Sequence, residues 1–223
     1  MANQKTSLPK YPWILHQAML YDYDMEKLEP DAWLNDELIH AILFLFITHA
    51  YREHAQAPFI FSSYFYTQYR IGYDRVQYYT KNEDIFSKRC ILFPLHVNEN
   101  HWILAFVDVT RKCIFGLDSL PSACRAETEL HLLSLLVYLE WEWIRVRPTQ
   151  HFGAWHLCIP ENIPKQTNDS DCGIYLCYFA KYLAEACMTS SVELRTSSLA
   201  SIPVPVDARE KIREVIHVYV RNI

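Results

Sequence analysis

The hydrophobic pattern along the chain changes from helical to strand-like and back. Leu38, Ile39, Ile42, Leu43, Phe46 and Ile47 share one face at helical spacing, which predicts a core helix capped at Asn35 or Asp36 and running to about Arg52. Trp33, just outside that cap, reads as a hydrophobic staple against Leu38 or its neighbours. Three short apolar runs follow the aromatic stretch from Pro58 to Lys88: Cys90 to Leu95, His101 to Val109 and Lys112 to Leu117. They predict a β-meander whose central strand is buried on both faces.

Ala126 to Arg147 returns to helical spacing, with Leu130, Leu133, Leu136, Val137, Leu139, Trp141 and Ile144 as its apolar positions and Pro148 as its stop. Phe152 to Ile159 reads as another strand, and Pro160 and Pro164 bracket the loop after it. A helix from Cys172 to about Met188 comes next, then a Ser/Thr-rich surface connection from Thr189 to Pro205. The last helix, Asp207 to Arg221, turns Ile212, Val215, Ile216 and Val220 to the core. Residues 1–30 are polar and punctuated by Pro9, Pro12 and Pro30, and predict an arm packed on the surface with at most a short helix. The chain therefore divides into this arm and a single domain, 31–223, of the α+β class with helices flanking a central mixed sheet.

Composition narrows the function classes. At 223 residues and 51% hydrophobic the chain suits one well-buried core. A net charge of -5 with scattered Lys and Arg argues against a nucleic-acid partner, and the longest apolar run, Ala41 to Ile47, cannot span a bilayer. Seven cysteines, an odd number without the spacing of small disulfide-rich domains, point to a reducing, intracellular compartment. A monomer is expected.

The candidate chemistry gathers on Cys172. Asn168, Asp169, Ser170 and Asp171 before it are turn and cap residues, which sets the thiol in the first turn of a helix. There the unpaired N–H groups and the helix dipole favour an anion, the state a thiol nucleophile needs. A buried structural cysteine is the commoner role of such a residue. His101 opens the middle strand of the meander and Asp118 closes the third. Counting outward from the turn at Thr110 to Lys112 puts both at one end of the sheet, so the hairpin itself predicts their contact. Gln166, six residues before Cys172, can return its amide beside the thiol and, with the Cys172 N–H, form an oxyanion hole. Other constellations are weaker. Phe115-Gly-Leu-Asp-Ser119 breaks the serine motif of small lipolytic hydrolases, and His156, Cys158, Cys172 and Cys177, or His49 with His54, lack zinc-ligand spacing. No metal or cofactor is implied.

Trp33-Leu-Asn-Asp36, Phe93-Pro-Leu-His96 with His101-Trp102, Leu117-Asp118-Ser119 and Gln166-Thr-Asn-Asp-Ser-Asp-Cys172-Gly173 stand in the order and spacing of the Ulp/SENP-type cysteine proteases. The chain resembles that family from about Trp33 to its C-terminal helix. The resemblance implies a papain-like fold and cleavage after the C-terminal Gly-Gly of a ubiquitin-like modifier, SUMO above all, in both deconjugation and precursor maturation. It implies Cys172 as nucleophile, His101 as general base and then acid, Asp118 as its orienter and Gln166 as oxyanion donor. Trp33 and Trp102 would clamp a tunnel that admits only glycines, Asp36 would pair with an arginine of the modifier, and Tyr64 would pack against it. Tyr78-Tyr79 stands where the family often carries Arg-Trp, and Leu117 where it usually carries Tyr. These departures bear on which modifier is preferred, a NEDD-class protein and ubiquitin being the alternatives to SUMO. The reducing compartment that the cysteines point to is the nucleus or the cytoplasm, or a host cell if the chain is a secreted effector. A non-catalytic modifier-binding module, or an effector acetyltransferase using the same triad, is the alternative of another class.

Overall fold

The computed structural model describes residues 12–16, 18–98, 100–120, 124–189 and 196–223, without the side chains of 196–198. A hairpin of β1 (Trp13–Leu15) and β2 (Ala18–Leu20) leads into α1 (Asp22–Met25) and α2 (Asp36–Leu43), which continues as a π-helical turn, Phe44–Thr48. The short β3 (Phe59–Ile60) and α3 (Tyr64–Ile71) precede the meander of β4 (Cys90–Val97), β5 (His101–Asp108) and β6 (Cys113–Leu117). Then come α4 (Arg125–Val146), β7 (His156–Cys158), α5 (Cys172–Thr189) and α6 (Ala208–Arg221). Strands β3 to β7 form one mixed sheet in sequence order, antiparallel through β4-β5-β6 and parallel at both edges.

Alternation along the meander splits the interior in two. Leu92, Trp102, Leu104, Phe106, Phe115 and Leu117 face a core shared with α2, α5 and α6. Their alternate neighbours, including Ile91, Phe93, Ile103, Ala105, Val107 and Ile114, face a second core under α3 and α4. Strand β5 is thus buried on both faces, as its nearly unbroken apolar sequence predicts. The α+β class with helices flanking a mixed sheet is the fold observed.

Several expectations are corrected. Instead of lying on the surface, the described part of the N-terminal arm buries Trp13, Leu15, Ala18 and Leu20 in the first core, through strands too short to show a period. Trp33 is no staple: its side chain is 48% exposed, and Leu34 takes the buried place beside α2. Helix α4 rests on the sheet through Leu132, Leu135, Tyr138, Leu139 and Trp143, so Leu130, Leu133, Val137, Trp141 and Ile144 point to solvent. The core face of α4 also carries Thr128 and Glu142, and Glu142 is held by Tyr73, Thr80 and Arg145. Those two polar residues made the opposite face look the more hydrophobic. Only three residues of the expected strand at Phe152 to Ile159 pair with β6. Within the expected surface connection, Thr196–Ser201 forms a 3-10 helix and Leu199 and Ile202 are buried, while residues 190–195 lie outside the described ones. Val215 faces solvent, leaving Ile212, Ile216 and Val220 as the buried row of α6.

Candidate active site

Cys172 begins α5, and its side chain is buried. The turn before it is organised by Asn168, whose Oδ1 accepts from the backbone N–H of Ser170 (3.1 Å) and Asp171 (3.0 Å) while its Nδ2 donates to Asp171 Oδ2 (2.8 Å). Gly173 allows the start of α5 to pack closely, since a Cβ there would lie 3.0 Å from Leu34 Cβ and 3.1 Å from Ile39 Cδ1. The thiol sits at the N-terminus of an 18-residue helix, where the dipole and the free N–H groups favour negative charge.

The hairpin brings His101 to Asp118. Antiparallel register from Asp108↔Cys113 to Leu104↔Leu117 returns the end of β6 to the start of β5, and His101 Nε2 donates to Asp118 Oδ1 at 2.8 Å. Asp118 is fixed in turn: Oδ1 also accepts the Leu120 N–H at 2.9 Å, and the Asp118 carbonyl accepts from Lys165 Nζ at 2.8 Å. Burial lowers the pKa of His101, but the hydrogen bonds and charges of Asp118 and Cys172 outweigh it and raise it from 6.5 to about 9. Both the carboxylate and the sulfur thus favour the protonated form of His101.

Gln166 is 2% exposed, not a loop side chain in water. Its Oε1 accepts from Ser119 Oγ at 2.7 Å and its Nε2 donates to the Asn168 carbonyl at 2.7 Å, so the amide orientation is fixed and one Nε2 proton is left over. A backbone bond from Gln166 N–H to the Ser119 carbonyl, 3.0 Å, fastens this loop to the end of β6.

The two tryptophans hold the strands around the site. Trp102 is buried next to His101, donates from Nε1 to the Leu34 carbonyl at 2.9 Å and lies against His96 with ring centroids 4.5 Å apart. Trp33 lies on the surface of the nucleophile turn, with Nε1 donating to the Asp169 carbonyl at 2.9 Å. Tyr64 is exposed nearby: its phenol pKa is raised by partial burial and by the charges of Asp36 and Glu37. All eight residues singled out in the sequence thus fall in two adjoining groups, the Cys172, His101, Asp118 and Gln166 cluster with Trp102 and Trp33, and the Asp36 and Tyr64 surface.

Residues 32–202 match the family described as the Ulp1 protease family, C-terminal catalytic domain. The chain belongs to that family. Sentrin-specific protease 2 of Homo sapiens is 33% identical over 165 residues, 72% of this chain and 27% of the relative. Sentrin-specific protease 3 of Mus musculus is 34% identical over 162 residues, again 72% of this chain and 27% of the relative. The chain thus spans about a quarter of the length of the curated relatives it matches. A solved structure of the SUMO protease Ulp1 with its catalytic cysteine oxidised to a sulfenic acid superposes with a TM-score of 0.74 at 24% identity, over 94% of this chain and 87% of that one. The Ulp1 fold is therefore the fold of this member, and it accounts for the central mixed sheet and its flanking helices.

Two members of the cluster went unread in the sequence. Ser119, weighed as part of a lipolytic motif, instead orients Gln166. Arg209 on α6 lies beyond the family-matched residues, yet its guanidinium donates to Asp171 Oδ1 (2.6 Å from Nη2) and to the carbonyls of Lys27, Glu29 and Ala32. It joins the nucleophile turn to the segment that carries Trp33. A contact spanning 177 residues has no local signature in the sequence.

Proposed function

We propose that this Ulp1-family member is a thiol isopeptidase that cleaves after the C-terminal Gly-Gly of a ubiquitin-like modifier, SUMO in the first place, releasing it from lysines and maturing its precursor. The observation carrying this reading is Cys172 at the N-terminus of α5 beside His101, whose ring Asp118 holds in place and whose protonated form both groups favour. The Cys172 thiolate attacks the carbonyl carbon of the terminal glycine. The Cys172 N–H and the spare Nε2 proton of Gln166 receive the oxyanion. His101 then gives its proton to the leaving lysine amine, and a thioester remains on Cys172. Water attacks the thioester with His101 taking its proton, which frees the modifier carboxylate and the thiol. Trp33 and Trp102 wall the approach to Cys172 against residues larger than glycine. Asp36 receives an arginine of the modifier, and Tyr64 packs beside it.

Support for SUMO comes from the names of the relatives and from a Ulp1 protease domain solved in complex with Smt3, the yeast orthologue of SUMO, which matches with a TM-score of 0.70 at 23% identity. Seven free thiols suit a reducing compartment, nucleus or cytoplasm, and no described helix is long and apolar enough to cross a membrane. A second reading keeps the chemistry and exchanges SUMO for a NEDD-class modifier or ubiquitin. It is favoured by Tyr78 and Tyr79, both exposed where the family often places Arg-Trp. Electrophilic C-terminal probes of SUMO, a NEDD-class modifier and ubiquitin separate these readings. SUMO should label Cys172 fastest, faster labelling by another modifier selects the second reading, and no labelling by any of the three defeats both.

A further inference from the structure

Away from the active site, two thiols from distant parts of the chain hydrogen-bond to each other. Cys90 opens β4 and is fully buried, and Cys187 lies half-buried in the last turn of α5. Both pack into the first core. Their backbones are fastened together as well. Arg89 donates from Nη1 to the Cys187 carbonyl at 3.2 Å, while its own carbonyl accepts the Val109 N–H at 3.2 Å. The pair thus joins the end of the nucleophile helix to the sheet across about a hundred residues of chain.

The two sulfurs are unequal. The hydrogen bond from Cys90 lowers the pKa of Cys187 against its own burial, with the charges of Arg89 and Arg111 adding to the effect and Asp108 opposing it. The same bond, together with burial, raises Cys90, so Cys90 is the donor and Cys187 the side that carries charge. A helix C-terminus disfavours an anion, and Arg89 offsets that by bonding the Cys187 carbonyl. Burial moves Cys113 the other way, to about 12, and raises Cys158 and Cys177 too. Partial exposure, neighbouring guanidinium groups and a second thiol in contact are the features of an oxidant-sensing cysteine. No cluster of side chains suited to a metal is present among the described residues.

From this arrangement we propose that Cys187 is a hydroperoxide-reactive thiol with Cys90 as its resolving partner, and that oxidation joins them in a reversible disulfide clipping α5 to β4. The Cys187 thiolate attacks one oxygen of the hydroperoxide and the O–O bond breaks. Cys187 becomes a sulfenic acid, and the reduced oxidant leaves as an alkoxide or hydroxide that takes a proton from water. The Cys90 sulfur then displaces the sulfenic hydroxyl, which departs as water with the Cys90 proton, and the S–S bond forms. A thiol reductant reverses the link by exchange, so in a reducing compartment the clip is transient. Cys172 stands fifteen residues earlier on α5, about 22 Å away at 1.5 Å per residue, so this chemistry is separate from the catalytic thiol and does not depend on the proteolytic reading.

The test uses the 223-residue chain carrying Cys172→Ala, which removes the catalytic thiol from competition, treated with tert-butyl hydroperoxide and mapped by mass spectrometry after digestion. A Cys90–Cys187 linked peptide should form before any sulfenic acid accumulates on exposed Cys124, and dithiothreitol should remove it. The linked chain should melt about 5–10 °C higher than the reduced one, because a cross-link closing so long a loop restricts the unfolded chain. Cys90→Ala should leave a sulfenic acid on Cys187 that dimedone traps, and Cys187→Ser should abolish the link and leave Cys90 unmodified. With Cys172 restored, both variants should still react with the modifier probe at the wild-type rate. Oxidation of Cys124 with Cys187 untouched, a sulfenic acid on Cys90 in place of Cys187, or a link to any other cysteine would each overturn the proposal, and a linked chain that melts no higher would overturn the clip.

Discussion

His101 is the residue at which geometry and charge can be tested most directly. Its pKa stands at about 9 although burial alone would lower it, because Asp118 and Cys172 hydrogen-bond to the ring and oppose its charge. A raised folded-state value stabilises the protein fully below the ordinary 6.5 and ceases to do so as pH rises through about 9. In an NMR titration the ring of His101 should show a midpoint near 9, and Cys172→Ala should move it down by removing one of the two supporting groups. An unchanged midpoint in that variant would mean that Asp118 alone supports the imidazolium. Gln166 makes a second prediction. Its amide is fixed by Ser119 and Asn168 with one donor to spare, so Gln166→Ala should lower kcat by about 100-fold with little change in KM, the signature of a donor used in the transition state. Ser119→Ala, which frees the amide to turn without removing it, should cost less. Equal losses in kcat and affinity would put Gln166 in substrate binding instead.

Among the elements, those whose pairing is local were the legible ones. The His101–Asp118 contact follows from a hairpin counted outward from one turn, and β5 was readable as a central strand because both its faces are apolar. Helix α4 was legible as a helix and illegible as to its face, since it carries apolar residues on two opposite sides and polar Thr128 and Glu142 on the buried one. Trp33 was read against its own helix, whereas its partner is the carbonyl of Asp169, 136 residues away. Arg209 is the furthest case of such non-local bonding, one guanidinium on α6 holding the 27–32 segment and the turn before α5. Its side chain is largely buried, so Arg209→Ala should cost on the order of 2–4 kcal/mol in chemical denaturation and also lower kcat by loosening the turn ahead of Cys172. Arg209→Lys should recover part of the stability and little of the kcat, because one ammonium cannot span both Asp171 and the carbonyls. Were lysine to restore kcat in full, charge alone would suffice and the bridging geometry would have no part in it.

At the scale of the whole molecule, the net charge of -5 is small, and its placement decides what it does. Asp36 and Glu37 begin α2, and their charges reach the exposed Tyr64 on α3, so the surface proposed to receive the modifier is acidic as well as aromatic. Such a patch attracts a basic partner surface over distances of about a Debye length, roughly 8–10 Å near physiological salt. The reacting tail itself is uncharged glycine, so attraction and chemistry fall on different parts of the substrate. Raising the ionic strength from about 50 to 500 mM should therefore lower kcat/KM for an intact modifier fusion and leave it nearly unchanged for a short Gly-Gly peptide reporter. Asp36→Lys should weaken the salt dependence for the intact modifier and raise its KM without altering kcat, since its proposed role is to receive the modifier and not to take part in the chemistry. Should both substrates respond to salt alike, the effect would lie in the catalytic ion pair, and the acidic surface at the start of α2 would have no part in choosing the guest.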